Sequence, residues 1–334
     1  MHTLTYGKLR GLQQLANESG IFTITALDHR GSFEHMLRQT LGVESPSWEA
    51  VVAEKERLAR ALAPHSSAIL LDPIYGAGPL LARGAVPGTV GVLIACEQSG
   101  YESVNEGRVT ILQPNWSVAA IKRMGAAAVK LLLPYHPEAP TAERQEAIVR
   151  QVADECRTHD IAFLLEPMSY PLVKGQKKSD PAFAARLPEI VIETARRLVP
   201  LGVDVLKAEF PTDPSYHRDE KQIRAVCRQL TEVAGVPWVL LSAGVDFATF
   251  QRQVEIGCEE GASGFLAGRA IWQEAMAFTD TAARDHFLRT IAVSRLRILV
   301  NIANYRATPW PERMPAASLP QAAEGWHATY PKVG

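Results

Sequence analysis

Ile21-Phe22-Thr23-Ile24-Thr25-Ala26-Leu27-Asp28-His29-Arg30-Gly31 is an apolar run that ends in polar residues. A continuous run of this kind reads as a parallel strand covered on both faces, not as a half-exposed strand with alternating polarity. Its ending narrows the architecture. An open, doubly wound dinucleotide-binding sheet would follow its first strand with a GxGxxG turn, and Asp28-His29-Arg30-Gly31 has no such spacing.

Seven more runs of the same type follow: Ala68 to Tyr75, Val90 to Glu97, Ala127 to Leu133, Ala162 to Glu166, Val203 to Glu209, Trp238 to Ser242 and Ala262 to Ala267. The stretches between them carry apolar residues at helical spacing, such as Trp48, Val51, Val52, Leu58 and Leu62, or Ile148, Val152 and Cys156. Asp246 before Phe247 to Ile256, and Thr141 before Ala142 to Arg157, are expected helix N-caps. Eight strands in strand-then-helix order predict a closed (β/α)8 barrel, formed by residues 1–305 as one catalytic domain. An open doubly wound sheet is the alternative, and it would normally have fewer strands. Asp280 to Tyr305 reads as one or two further helices. The Pro-rich remainder, residues 306–334, reads as an irregular tail packed on the barrel or on a partner subunit.

Composition excludes several classes of function. The chain has 334 residues, with 35 Lys and Arg against 36 Asp and Glu, so no basic excess favours nucleic acid or anionic membrane. No uncharged apolar run reaches about 18 residues, and the N-terminus is polar, so a soluble cytoplasmic protein without a secretion signal is expected. Cys96, Cys156, Cys227 and Cys258 lack CxxC spacing, and the nine histidines are scattered without ligand spacing, which argues against a zinc site.

Barrel active sites are built where strands end. Here the ends carry Asp28, His29 and Arg30; Asp72; Glu97; Lys130; Glu166; Lys207 and Glu209; Ser242 with Gly244; and Gly268 with Arg269. Lys207 lies in the apolar strand Val203-Asp204-Val205-Leu206-Lys207-Ala208-Glu209-Phe210, where an ammonium is costly unless something uses it. Desolvation, or a second cation such as Lys130, would favour the neutral amine that adds to a carbonyl. Glu166, one strand earlier, would shuttle the protons of that addition. The same residues also allow a structural ion pair of Lys207 with Glu209 or Glu166. Small residues at Ser242-Ala243-Gly244 and Gly268, with Arg269, suit an anion at the usual barrel phosphate position.

In these strings the chain resembles the tagatose-1,6-bisphosphate aldolase family of class I aldolases, over roughly residues 20 to 275. The resemblance rests on Asp28-His29-Arg30-Gly31, Ala68 to Gly76, Glu97-Gln98-Ser99-Gly100-Tyr101, Val129-Lys130, Leu165-Glu166, Asp204 to Lys207 and Leu241 to Val245. Sulfofructosephosphate aldolases are similar too, through Pro237 to Ser242 and Gly261 to Arg269. The resemblance implies that Lys207 forms an imine, that Glu166 is the acid/base, that Asp28 and Lys130 assist, and that Ser242, Gly244, Gly268 and Arg269 hold a C1 phosphate. No cofactor or metal is implied, and a homodimer or higher homo-oligomer is. Both families usually carry Gln where His29 stands, so His29 and Arg30 are expected to meet a different group at C6. The basic loop Lys174, Lys177, Lys178 is either a solvated surface loop or a second contact to that group. The function implied is reversible cleavage of a ketohexose 1-phosphate with a C6 anion, tagatose 1,6-bisphosphate or 6-deoxy-6-sulfofructose 1-phosphate. A non-catalytic sugar-phosphate sensor on the same barrel is the alternative of another class.

Overall fold

Along β1 (Phe22–Leu27) every residue is buried, because alternate side chains enter the barrel and the rest meet its helical shell. Phe22, Ile24 and Ala26 belong to the interior cluster, with Ala68 and Leu70, Leu93, Ala128, Ala162 and Leu164, Val205, Val239 and Leu266. The intervening residues, such as Ile69, Val129, Phe163, Leu206, Trp238 and Phe265, pack outward against helices. The computed structural model describes residues 4–105, 107–315 and 318–330.

The other barrel strands are β2 (Ala68–Leu71), β3 (Gly91–Ala95), β6 (Ala128–Pro134), β7 (Ala162–Met168), β8 (Val205–Ala208), β9 (Trp238–Leu241) and β10 (Gly264–Ala267). They close in the order β1-β2-β3-β6-β7-β8-β9-β10, with β1 paired in parallel to both β2 and β10. The eight expected strands are therefore present and parallel, as a (β/α)8 barrel requires. The helices, in chain order, are α1 (Tyr6–Leu15), α2 (Gly31–Leu41), α3 (Trp48–Leu62), α4 (Ala77–Ala82), α5 (Val118–Arg123), α6 (Ala142–Thr158) and α7 (Pro181–Leu198). They continue with α8 (Glu220–Ala234), α9 (Phe247–Glu259), α10 (Arg269–Trp272), α11 (Thr281–Phe287), α12 (Val293–Arg306) and α13 (Trp326–Thr329).

Several boundaries differ from the expectation for local reasons. β2 stops at Leu71, short of Tyr75: Pro73 has no N–H to offer a ladder, and the Asp72 carboxylate turns the chain by accepting from the Ile74 and Tyr75 N–H groups at 2.8 and 2.7 Å. Beyond β3, an antiparallel hairpin, β4 (Glu102–Val104) with β5 (Gly107–Val109), was not foreseen; strands of three residues carry little periodic signal. Asp246 caps α9, its carboxylate accepting from the Thr249 N–H at 3.0 Å. Thr141 stands at the N-cap of α6 but its hydroxyl donates to the Arg108 carbonyl instead, at 3.1 Å. The segment after β10 forms α11 and α12, joined by a π turn, Leu288–Ala292.

One end of the barrel is sealed. α1 lies across it, with Leu4, Leu12 and Leu15 joined by Trp310 and Met314 of the tail in the interior cluster. The tail is tied there by backbone hydrogen bonds from Thr308 to Ala262 and from Trp310 to Gly20. No helix among the described residues is long and apolar enough to cross a membrane.

Candidate active site

The inward-facing positions change character two residues above the apolar layer. In β6, Ala128 is followed inward by Lys130; in β7, Leu164 by Glu166; in β8, Val205 by Lys207; after β1, Ala26 by Asp28. This alternation carries four charged side chains to one level of the mouth. Glu97, just past β3, joins them. They line a cavity of about 220 Å³ together with Ala26, His29, Arg30, Ser32, Gln98, Ser99, Gly100, Ser242, Gly268 and Arg269.

Lys130 is the hub. Its Nζ lies 2.7 Å from Asp28 Oδ2, 2.8 Å from Glu97 Oε1 and 3.0 Å from Glu166 Oε2. Burial disfavours its charge, but these carboxylates outweigh that and hold its pKa well above the usual lysine value. Lys130 is thus a fixed cation, already compensated, and not the bare neighbouring charge the sequence suggested. Lys207 has a different setting. Its Nζ lies 2.8 Å from Glu166 Oε1, and it reaches the cavity from β8. Glu209, the other partner considered for it, is engaged elsewhere: it accepts from the Ser169 N–H at 2.8 Å and pairs with Lys178.

Burial raises the carboxyl pKa values of Asp28 and Glu166, yet Lys130 and Lys207 reverse this and hold both below the usual carboxylate range. Burial lowers the His29 pKa to about 4 despite the carboxylate of Asp28, with the charges of Arg269 and Lys207 acting in the same direction as burial. His29 is therefore a neutral imidazole at neutral pH. Its Nδ1 is 3.9 Å from Asp28 Oδ1 and has no hydrogen-bond partner among the described residues, and its ring meets Trp272 edge-on at 5.4 Å.

At the opposite wall, the loop after β9 places Ala243 and Gly244 at positive φ, 47° and 79°. A Cβ on Gly244 would lie 3.3 Å from the Arg269 guanidinium carbon, so glycine lets that group rest on the backbone. Gly268 is required by crowding: a Cβ there would lie 2.7 Å from the Ala26 carbonyl and 2.8 Å from the His29 ring. Arg269 Nε is buried with no hydrogen-bond partner among the described residues. Ser242, Gly268 and Arg269 line the cavity, whereas Gly244, an exposed residue of the same loop, does not.

All ten site residues expected from the sequence meet at this mouth, nine of them in the cavity wall, but the assignment of Arg30 shifts. Arg30 lines the cavity yet spends its guanidinium on Glu97, donating to its carbonyl at 2.5 Å and standing 3.4 Å from its carboxylate. Of the basic loop, neither Lys174, Lys177 nor Lys178 lines the cavity, and Lys178 pairs with Glu209. Glu97, a strand-end charge to which the sequence assigns no specific partner, bridges Lys130 and Arg30 and accepts from the Leu132 N–H at 3.1 Å. Gln98 and Ser99 also line the wall, where the string Glu97-Gln98-Ser99-Gly100-Tyr101 pointed to them; Ser32 lines it too, and no motif carried it. Among the described residues no group of His, Cys, Asp or Glu is arranged to hold a metal ion. The carboxylates that do converge enclose the Lys130 ammonium.

Comparison with known proteins identifies the family. The family model described as "DeoC/LacD family aldolase" matches residues 22–274. The chain is 31% identical over 331 residues to a protein of Listeria monocytogenes serotype 4a (strain HCC23) named tagatose 1,6-diphosphate aldolase, covering 93% of this chain and 95% of that one. It is 32% identical over 329 residues to a protein of the same name from Streptococcus agalactiae serotype V, covering 93% and 99%. Among solved structures, the fold is similar to that of an archaeal fructose 1,6-bisphosphate aldolase, with a TM-score of 0.58, 20% identity and coverage of 89% and 98%. It is also similar to fructose-bisphosphate aldolase from Plasmodium falciparum, with a TM-score of 0.68, 12% identity and coverage of 92% and 97%.

Proposed function

We propose, for a chain that belongs to the DeoC/LacD family of aldolases, that it reversibly cleaves a ketohexose 1-phosphate through an imine on Lys207, tagatose 1,6-bisphosphate being the preferred substrate. The observation that carries this is the Lys207–Glu166 contact of 2.8 Å, facing the cavity beside an uncommitted Arg269. Of the two lysines at this level, Lys130 is held by three carboxylates and Lys207 by one, so Lys207 is the amine that can be released.

Proton transfer from Lys207 Nζ to Glu166 Oε1 leaves a neutral amine and a carboxylic acid. The amine adds to the C2 carbonyl, whose oxygen takes a proton from Glu166. The resulting carbinolamine hydroxyl leaves as water with a further proton through Glu166, giving the iminium. The Glu166 carboxylate then takes the C4 hydroxyl proton as C3–C4 breaks: the aldehyde departs, and the bonding pair moves through C3 into the iminium to form an enamine. Protonation at C3 and hydrolysis release dihydroxyacetone phosphate and restore Lys207. The aldehyde product from the bisphosphate is glyceraldehyde 3-phosphate. Asp28, fixed on Lys130, faces the substrate hydroxyls, and Ser242, Gly244, Gly268 and Arg269 receive the C1 phosphate. The imine supplies the electron sink, so the cycle needs no metal or other cofactor.

The names of the relatives support the bisphosphate. A second reading, 6-deoxy-6-sulfofructose 1-phosphate giving sulfolactaldehyde, is favoured by the neutral His29 and the tethered Arg30, which suit a singly charged C6 group better than a phosphate dianion. Borohydride reduction in the presence of dihydroxyacetone phosphate, followed by peptide mass mapping, tests the mechanism. An adduct on Lys207 is expected, and a clean Lys207 peptide overturns the imine. Relative kcat/KM on the two substrates then decides the C6 group.

A further inference from the structure

Asp28 lies one residue past β1 and two residues before Arg30, the N-cap of α2, so neither element holds it directly. What fixes it comes from behind the strand. Lys55, in the middle of α3, donates to the carbonyl of Leu27 at 2.7 Å and to that of His29 at 2.7 Å, the residues on either side of Asp28. Its third donor goes to the Asp72 carboxylate. Asp72 is immobilised in turn by the Ile74 and Tyr75 N–H groups, and by the close passage of Gly76, where a Cβ would lie 2.9 Å from the Asp72 carbonyl. The rings of Phe33 and Tyr75 flank the ammonium at 5.4 and 5.9 Å. Lys55 and Asp72 are 1% and 0% exposed, and neither lines the cavity.

An ammonium has three donors, and all three are committed here, so Lys55 has no donor left for a substrate. We propose that Lys55 is a positioning residue for the aldol reaction: by gripping the carbonyls of the residues on either side of Asp28 it fixes that carboxylate on Lys130, opposite Lys207 and Glu166. The inference rests on the aldolase reading above. It also gives a role to Asp72-Pro73-Ile74-Tyr75-Gly76, a string the cavity does not use: Asp72 neutralises and aims Lys55. Groups that aim a reacting residue matter because a displacement of about 1 Å at the reacting centre costs on the order of 100-fold in rate.

Lys55→Met alone would leave Asp72 charged, buried and unpaired, so the informative protein is the double variant Lys55→Met/Asp72→Asn, which removes both charges and keeps the turn's acceptor. It is compared with the parent, with Asp28→Asn and with the triple variant, on whichever of the two ketose phosphates the parent cleaves. The double variant is expected to melt as a folded protein and to lose kcat on the order of 100-fold. KM should change by less than about threefold, since the phosphate end is untouched. In the Asp28→Asn background the same two changes should cost less than about threefold more, because the residue they act through is already gone. A folded double variant with parental kcat, or a loss that multiplies in full with that of Asp28→Asn, overturns the inference. Should the double variant fail to fold, Lys55→Arg takes its place in the cycle with the same two outcomes; it keeps the charge for Asp72, but a planar fork cannot serve three tetrahedrally placed acceptors. A parent inactive on both substrates would instead overturn the aldolase reading, so the two failures are distinct.

Discussion

The barrel has a buried lysine–carboxylate pair at each end, and the pairs have the same length: Lys8 to Asp204 at the sealed end and Lys207 to Glu166 at the mouth, both 2.8 Å. Their surroundings differ. Asp204 Oδ2 also accepts from the Phe163 N–H at 2.7 Å, and Lys8 of α1 is part of the seal under the interior apolar layer. Lys207 instead opens onto the cavity, next to a second, compensated lysine. A buried ammonium is therefore no sign of chemistry by itself. Chemistry needs a carboxylate that can take its proton and a space where a carbonyl can stand.

The sharpest way to break this comparison is to remove each ammonium in turn. Lys207→Met is expected to lose kcat/KM by on the order of 10⁴-fold or more while remaining folded, since Glu166 keeps its contact with Lys130. Steady-state kinetics and thermal melting check both halves, and substantial residual turnover would dissolve the distinction. Lys8→Met should do the reverse. It leaves Asp204 without its lysine under the barrel and should cost about 3–5 kcal/mol of stability, read by denaturant unfolding, with kcat within about twofold at temperatures where the variant is folded.

The smallest effect sharpens the picture of the mouth. His29 has a pKa of about 4 in the folded protein, against an ordinary value of 6.5. Between these values the unfolded chain binds a proton that the folded one refuses, so stability is fully present above pH 6.5 and falls as pH drops toward 4. From pH 7.5 to 5 this single group removes about 2 kcal/mol. His29→Gln, with no group to titrate there, should lose correspondingly less stability over that interval. Equal losses in parent and variant would mean that the imidazole is protonated as easily in the fold as in solution.

Much of this site was legible because the strand period is local. Ala128 and Lys130, or Val205 and Lys207, are two residues apart in any strand, so once the runs were read as strands the charges had to share a face and a level with their neighbours. Eight such runs without a glycine-rich first turn led to the barrel, and the charges at their ends led to its mouth. The partnerships were not legible in the same way. That Arg30 is held by Glu97, that Lys178 takes Glu209 away from Lys207, and that Thr141 turns its hydroxyl to Arg108 all depend on loops from different strands meeting.

Lys8 and Lys55 mark the boundary most clearly. Each lies in a helix whose sequence looks like ordinary surface alternation, and neither differs from an exposed lysine until the barrel closes. The sequence by itself determined where the eight barrel strands run and that amine and carboxylate chemistry gathers at their ends. Only the tertiary structure decided which ammonium is compensated, which is sealed, which aims a neighbour and which can react. Periodicity is carried by bonds a few residues long, whereas the state of a buried charge is set by whichever groups the closed fold brings within about 3 Å of it.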